Sequence, residues 1–364
     1  MPQTDDWAGD AQNAATSGEF RRDTNYIGDR ILASVNTTQA QPAEQDVMHW
    51  PVRPHRYRLV AARACPWAHR AVIVRRLLGL EGVISLGLAG PTHDKRSWTF
   101  DLDPGQVDPV LRIPRLQDAY FNRFPDYPRG ITVPALVEES SRKVVTNDFS
   151  SIVRDFQTEW TKYHHEGAPN LLPPREQHAE MHEINEFIFK KFNNGVYRCG
   201  FSASQEAYEQ AYADVFEALD WLEQRLASRR FIMGEHITET DIRAYVTLIR
   251  FDAVYHGHFK ANRNKISEMH NVYGYLRELF QTPGFGDTTD FTEIKQHYYI
   301  VHREVNPTQI VPAGPDMSGL AQPHGRDHLA GAPFAEGTSL PGALPEEEKL
   351  KNPTQMQREL FRLH

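Results

Sequence analysis

Tyr57-Arg58-Leu59-Val60-Ala61, then Ala64-Cys65-Pro66-Trp67-Ala68-His69-Arg70, then Ala71-Val72-Ile73-Val74-Arg75-Arg76-Leu77-Leu78-Gly79: the reading of this stretch decides the fold. The first segment reads as a strand and the last as a helix that stops at glycine. A cysteine therefore stands at a strand-to-helix turn with proline directly behind it. Proline suits the first turn of a helix, where its missing N–H costs nothing. A cysteine in that place meets unpaired backbone N–H groups and the positive end of the helix dipole. Both favour thiolate over thiol, so its pKa is expected below ~8.5. The competing reading is a buried, inert cysteine, because cysteine is often simply core. Dithiol oxidoreductases carry a second cysteine at the fourth motif position, which resolves the mixed disulfide within the protein. That position is Ala68 here, and the one other cysteine, Cys199, lies far along the chain. A mixed disulfide on Cys65 would need an external thiol to resolve it.

Outward from this stretch, strands and helices alternate. Gly82–Leu88 reads as a second strand. Residues 91–128 form a long insertion rich in proline and aspartate, too irregular for a single element. Thr132–Val137 and Lys143–Thr146 read as a hairpin, and Asn147-Asp148 as the cap of a helix running to about Trp160. From about residue 176 the period becomes helical. Met181, Ile184, Ile188 and Phe192 share one stripe, and Tyr208, Tyr212, Val215, Leu219, Leu222 and Leu226 a longer one. Its aromatic members are expected to be core. Thr238 with Asp241 forms a capping box, and Val272, Leu276 and Phe280 the last strong stripe. The fold class expected is an α/β thioredoxin-like N-terminal domain followed by an all-α C-terminal domain. The boundaries expected are an N-terminal extension over 1–50, a thioredoxin-like domain over 51–165, a helical domain over 175–312 and a C-terminal tail over 313–364. Residues 1–50 read as an extended or wrapping arm. The proline- and glycine-rich segment after Pro312 cannot bury enough to order itself alone and reads as a tail or a wrap.

The chain has 364 residues, 40% apolar and 24% charged, a net charge of −8 and two cysteines. So few cysteines argue against a disulfide-built secreted protein, and a reducing cytoplasm is the expected home. No apolar run approaches the ~20 residues that span a bilayer, and Met1–Asp6 shows no secretory signal, so no membrane partner is expected. The negative charge argues against nucleic-acid binding. His178 and His182 lie four apart on a helix, but the intervening order is not the zinc motif H-E-x-x-H and no third ligand is evident, so no metal is expected. His256 and His258 read as a turn around Gly257, and Glu346-Glu347-Glu348-Lys349 as a solvated helix start.

These residues resemble a known family. A thioredoxin-like domain followed by a helical one is the glutathione transferase architecture, and Cys65-Pro66-Trp67-Ala68 resembles the motif of its omega-like, Xi-class branch, which contains the glutathionyl-hydroquinone reductases. Ser97–Phe100, Asn193–Tyr197, Ile249–Asp252, Gln296–Tyr298, Asn306–Thr308 and Pro323–Asp327 agree with it in order. The resemblance spans roughly residues 50–328.

What the resemblance implies is a thiol-dependent reductase. Its substrate is a small aromatic thiol conjugate of a hydroquinone, and its co-substrate a low-molecular-weight thiol, glutathione or mycothiol. Cys65 is the implied catalytic nucleophile. Val133-Pro134 matches the family's cis-proline site, whose backbone pairs with the thiol's cysteinyl unit. Trp98 matches a tryptophan that packs beside the thiol, and Tyr197 and Tyr298 match two tyrosines that face the aromatic substrate. A homodimer joined by its helical domains is implied too. One departure stands out. Where the family usually shows Asn-Glu-Ser-Ser, this chain has Asn147-Asp148-Phe149-Ser150-Ser151. Asp148 keeps the charge that meets the γ-glutamyl ammonium, with shorter reach. Phe149 removes a hydroxyl and is expected to set an apolar ring near the γ-glutamyl head, while Ser150 stands as a substitute. A thiol without a γ-glutamyl group does not need that clamp. The alternatives are a general omega-type thiol transferase or a transferase-fold scaffold without turnover.

Overall fold

The computed structural model describes residues 18–36, 38–42 and 47–363. The first 17 residues of the expected arm, with the segment read as lacking a secretory signal, lie outside the described residues. The chain divides into two units. One comprises Asp23–Ala168 with Pro341–Glu348; the other comprises residues 18–22, Pro169–Leu340 and residues 349–363.

The first unit opens with three short strands, β1 (Arg30–Leu32), β2 (Gln41–Pro42) and β3 (Met48–Pro51), where an extended arm was expected. Their order is β1-β3-β2, with β1 parallel and β2 antiparallel to β3. Strands this short leave no periodicity to read. A buried carboxylate ties them together instead: Asp29 accepts from the Met48 N–H at 3.0 Å, Trp50 Nε1 at 2.7 Å and Arg123 Nη2 at 2.6 Å.

The central sheet follows. It begins with β4 (Tyr57–Ala62) and continues through α1 (Pro66–Leu77) to β5 (Ser85–Ala89). The 91–128 insertion holds the two-residue strands β6 (His93–Asp94) and β7 (Ser97–Trp98) and the helix α2 (Leu116–Arg123). Then come β8 (Ala135–Glu138), β9 (Lys143–Thr146) and α3 (Phe149–Thr158). Sheet order is β5-β4-β8-β9, with β4 parallel to β5 and antiparallel to β8. This is the expected thioredoxin-like arrangement. β4 is buried at all six positions, as a central strand must be.

All twelve residues of α1 are buried, its arginines included. A buried guanidinium needs an answering charge. Arg75 finds one in Glu348, which takes Nη1 at 2.8 Å and Nη2 at 2.6 Å. Arg63 donates to the Glu348 carbonyl, and Arg76 Nη2 to that of Gly342 at 2.6 Å. Glu348 was expected on a solvated helix start. It is instead 5% exposed, because the arginines of the cysteine-bearing helix draw the C-terminal segment Pro341–Glu348 into this unit.

The second unit is helical: α4 (His178–Ile188), α5 (Gly195–Gly200), α6 (Gln205–Arg225), α7 (Glu239–Arg250), α8 (His270–Gln281), α9 (Phe291–Val301) and α10 (Gln355–Phe361). Two π-helical turns interrupt it, Phe189–Asn193 after α4 and Phe251–Tyr255 after α7. The α6 stripe is buried from Val215 through Leu226, whereas Tyr208 and Tyr212, expected in the core, are half-buried. Thr238 and Asp241 form the capping box of α7. The segment after Pro312 wraps this unit through its hydrogen bonds. Arg326 Nη2 donates to the carbonyls of Leu226, Arg229 and Arg230, and Gln357 Nε2 to those of Gly286 and Thr289. No helix among the described residues is long and apolar enough to cross a membrane.

Candidate active site

In the first unit, Cys65 is the N-cap of α1, in extended conformation, with Pro66 at the first helical position. Its carbonyl accepts the His69 N–H at 3.0 Å, which closes the first turn of the helix. Its thiol is half-buried and lies 3.5 Å from the Val133 carbonyl, to which it donates. The Val133–Pro134 bond is cis. Asn147 braces this corner: Nδ2 donates to Thr132 Oγ1 at 2.9 Å, and Oδ1 accepts the Ile27 N–H at 2.8 Å.

Asp148 is the N-cap of α3. Oδ1 accepts the N–H groups of Ser150 at 3.0 Å and Ser151 at 3.3 Å, and Oδ2 accepts the Ser151 hydroxyl at 2.6 Å. Phe149 was expected to set an apolar ring near the γ-glutamyl head. Its ring is 6% exposed, 4.9 Å from the Trp67 ring and edge-on to Tyr26 at 5.6 Å. The buried Arg70 guanidinium lies over both, 4.7 Å from Trp67 and 5.4 Å from Phe149. Cation–π attraction thus holds Phe149 inward. Ser150 is half-buried beside it. Trp98, on β7, is buried and meets His93 edge-on at 5.0 Å.

In the second unit, Tyr197 on α5 and Tyr298 on α9 meet hydroxyl to hydroxyl at 2.6 Å. A third phenol joins them that sequence reasoning did not single out: Tyr255, at the end of the second π-helical turn, lies 2.8 Å from the Tyr298 hydroxyl. Phe259 packs against all three rings at 5.5–5.6 Å between centroids. It approaches α5 so closely that a Cβ at Gly200 would fall 2.1 Å from it, so glycine is required there. Arg22 lies 4.7 Å from the Tyr197 ring and donates from Nε to Asn194 Oδ1 at 3.0 Å. Burial, reinforced by the neighbouring phenols, pushes the Tyr298 hydroxyl well above the ordinary tyrosine range, so it stays a donor. No pattern marks Tyr255 in the sequence, because a π-helical turn breaks the 3.6-residue period around it.

Cys199 is 2% exposed, and burial pushes its thiol up to about 12, which leaves it without nucleophilic character near neutrality. Near it is a cavity of about 430 Å³ lined by Ser202, Tyr208 and Lys260 among others. His258 belongs to the expected turn, yet is buried with Nε2 3.3 Å from His302 Nδ1. His178 Nε2 lies 3.0 Å from the Pro173 carbonyl. Among the described residues, no group of three or more His, Cys, Asp or Glu is placed to hold a metal ion.

Residues 64–159 match the family model described as the N-terminal domain of glutathione S-transferase, and residues 205–292 match that of its C-terminal domain. The chain is 38% identical over 315 residues to glutathionyl-hydroquinone reductase YqjG of Escherichia coli strain K12, covering 86% of this chain and 94% of that protein. The glutathione-bound structure of YqjG matches with a TM-score of 0.75, covering 82% of this chain and 95% of that one. A glutathione transferase from Gordonia bronchialis is 59% identical with a TM-score of 0.84, covering 89% of this chain and 97% of its own. A Xi-class glutathione transferase from Natrialba magadii is 35% identical with a TM-score of 0.77, covering 86% and 96%. Both domains of one family are matched in order, and relatives this similar span most of the chain, which therefore belongs to the glutathione S-transferase family, in its Xi-class branch.

Proposed function

We propose that this enzyme is a thiol-dependent reductase that cleaves thiol conjugates of hydroquinones. One observation carries the reading: a cysteine at a helix N-terminus beside the cis Val133–Pro134 backbone, in a chain 38% identical to a glutathionyl-hydroquinone reductase. The 51–165 segment holds the thiol and the 175–312 segment the aromatic ring. The Cys65 thiolate attacks the thioether sulfur. The sulfur-bearing ring carbon has first gained a proton as the quinol hydroxyl gives up its own, so the carbon–sulfur bond breaks from this keto form and the hydroquinone leaves as a phenolate that is protonated on oxygen. Cys65 is left in a disulfide with the small thiol. A second thiol molecule attacks that disulfide, releasing the Cys65 thiolate and a symmetric disulfide. The two thiols are oxidised and the carbon–sulfur bond is reduced, so electrons balance without a further cofactor. A bare aryl carbanion leaves poorly. Protonation of the sulfur-bearing carbon to a keto form, aided by Tyr197 and Tyr298, lets the electron pair of the breaking carbon–sulfur bond flow to the quinol oxygen, where hydrogen bonding stabilises the charge and makes departure feasible. Trp98 and the backbone of Val133 flank the thiol. The working protein is a cytoplasmic homodimer joined by its helical domains.

The thiol is the finer question. Aspartate is among the strongest N-caps, and the Asp148 carboxylate takes the α3 N–H groups that a γ-glutamyl carboxylate would seek. An incoming carboxylate would share those donors with a like charge. This favours a thiol without a γ-glutamyl head, such as mycothiol, over glutathione. Hydroquinone release from its glutathione and mycothiol conjugates, each with its matching thiol, tests the proposal. Release from neither, with protein mixed disulfides still reduced, would favour a general omega-type thiol transferase; a scaffold would do neither. Within the assay, Asp148→Glu with Phe149→Ser should improve glutathione binding about tenfold, since one charged hydrogen bond is worth ~1.5–3 kcal/mol. Tight glutathione binding that this double variant leaves unchanged would overturn the preference.

A further inference from the structure

Residues 18–22 read in the sequence as part of an arm, yet they belong to the helical unit and lie on its tyrosine cluster. Both ends of this short segment are pinned. The Gly18 carbonyl accepts the Ala203 N–H at 2.8 Å. Gly18 has a φ of +74°, and a Cβ there would fall 3.1 Å from that of Ser204, so the close approach to the α5–α6 turn favours glycine. At the other end Arg22 donates from Nε to Asn194 Oδ1 at 3.0 Å. Between these anchors stands Phe20, 5% exposed. Its ring stacks on Tyr197 at 6.2 Å with 25° between the planes, and tilts against Phe201 at 5.5 Å. Phe201 is itself packed on Phe259 at 5.1 Å and His302 at 5.0 Å. Phe20 therefore has neither backbone slack nor a soft neighbour to retreat into. Tyr197, over which it lies, is the most exposed of the three phenols, at 6% against 1% for Tyr298 and 0% for Tyr255. A ligand that comes to the cluster meets Tyr197 first, and Phe20 beside it.

We infer that Phe20 is a specificity-determining residue, whose ring stands where the second ring of a fused quinol would lie against Tyr197 and so restricts the reductase to single-ring hydroquinones. This rests on the hydroquinone reading above. A fused quinol that brings its oxygen to the Tyr197 hydroxyl carries a further flat ring. Flat rings pack best on the faces and edges of other rings, and on Tyr197 Phe20 already fills such a place. Because Phe20 is held at Gly18, at Phe201 and through Arg22, the added ring meets overlap and not adjustment. Well-packed interiors reject added volume for the same reason. A single-ring quinol has no such excess and reaches the hydroxyl with Phe20 in place. The N-terminal segment thus contributes to substrate choice through one side chain, without taking part in the chemistry at sulfur.

The test uses the full-length enzyme, its matching thiol, the thiol conjugates of a benzohydroquinone and of a naphthohydroquinone, and a simple disulfide of the same thiol. The parent should favour the single-ring conjugate by about tenfold or more in kcat/KM, the scale on which apolar pockets sort substrates of different size. Phe20→Ala removes the ring and leaves the anchors at Gly18 and Arg22. It should raise kcat/KM on the naphthohydroquinone conjugate about tenfold relative to the benzohydroquinone conjugate, chiefly through KM. Phe20→Tyr keeps the ring and should keep the parent preference. Reaction with the disulfide, which carries no aryl group, should hold in both variants. A preference that Phe20→Ala leaves unchanged would overturn the inference, whether both conjugate rates hold or both fall; a parallel fall would mean that Phe20 merely supports Tyr197. A parent enzyme that takes the two conjugates equally would overturn it as well. A parent enzyme that reduces the disulfide but releases neither hydroquinone would overturn the functional reading itself, and the inference with it.

Discussion

The cysteine corner of the first unit and the tyrosine cluster of the second are built on opposite principles. Cys65, Pro66, Val133, Pro134 and Asp148 act through backbone: a helix start, a carbonyl 3.5 Å from the thiol, a cis bond, an N-cap. Each of these depends on residues adjacent in sequence or paired in one sheet. The tyrosine cluster has no such local logic. Its members lie 101 and 43 positions apart and meet through side chains alone. Backbone sites tolerate changes in packing around them, because the ladder and the helix hold them. Side-chain clusters depend on every ring that keeps the hydroxyls in register. The first unit should therefore govern whether sulfur reacts at all, and the second which carbon is released.

The comparison breaks most directly at Cys65. Cys65→Ser should lower turnover at least ~10³-fold on the aryl conjugate and the simple disulfide alike, with the thermal midpoint unmoved, because a serine hydroxyl stays protonated near neutrality. Retention of most activity would end the assignment of sulfur chemistry to the first unit. Glu348→Ala probes whether that unit stands on backbone alone. It leaves the Arg75 guanidinium buried without its carboxylate, and denaturant unfolding should register a loss of about 3–5 kcal/mol. A loss under 1 kcal/mol would mean that the C-terminal segment is a passive cover.

Tyr197→Phe sharpens the contrast from the other side. It should slow hydroquinone release ~10²–10³-fold and spare the disulfide reaction, since a donor to developing charge is lost only where an aryl group leaves. Losses equal on both substrates would place Tyr197 in the support of the thiol instead. The smallest effect concerns stability in acid. Burial, with Lys260 nearby, lowers the His258 pKa from its ordinary value to about 4. An unfolded histidine takes up its proton as pH falls through ~6.5, whereas the folded one waits until about 4. Between those values the unfolded state binds more protons, so stability falls with falling pH and levels off below about 4. His258→Gln should flatten that slope in urea titrations at pH 7, 5.5 and 4, by at most about 3 kcal/mol across the range. An unchanged slope would show that other groups set the acid limit.

The strand–cysteine–proline–helix stretch was legible because every step of it is local. The β8–β9 hairpin, the Asp148 cap, the Thr238–Asp241 capping box and the stripes of α6 and α8 were legible for the same reason. The misreadings share a cause as well. The β1–β3 strands are too short to show a period, so they read as an arm. Glu348 read as solvated because its partner, Arg75, lies 273 positions away. The packing of Phe149 on Trp67 under Arg70 was not legible at all, because Arg70 sits on a helix buried all round, where no amphipathic pattern separates inside from outside.

The sequence by itself determined the order of the elements, the place of the reactive cysteine at a helix start and the departure at Asp148-Phe149, because propensity, capping and the residue before a proline act over a few neighbours. Only the tertiary structure decided which buried charges answer each other, that Asp148 spends its carboxylate on its own helix, and that a third phenol completes the Tyr197–Tyr298 pair. Those outcomes depend on side chains far apart in the chain meeting in a low-dielectric interior, where an unpaired polar group is costly and a partner is therefore selected by geometry rather than by spacing.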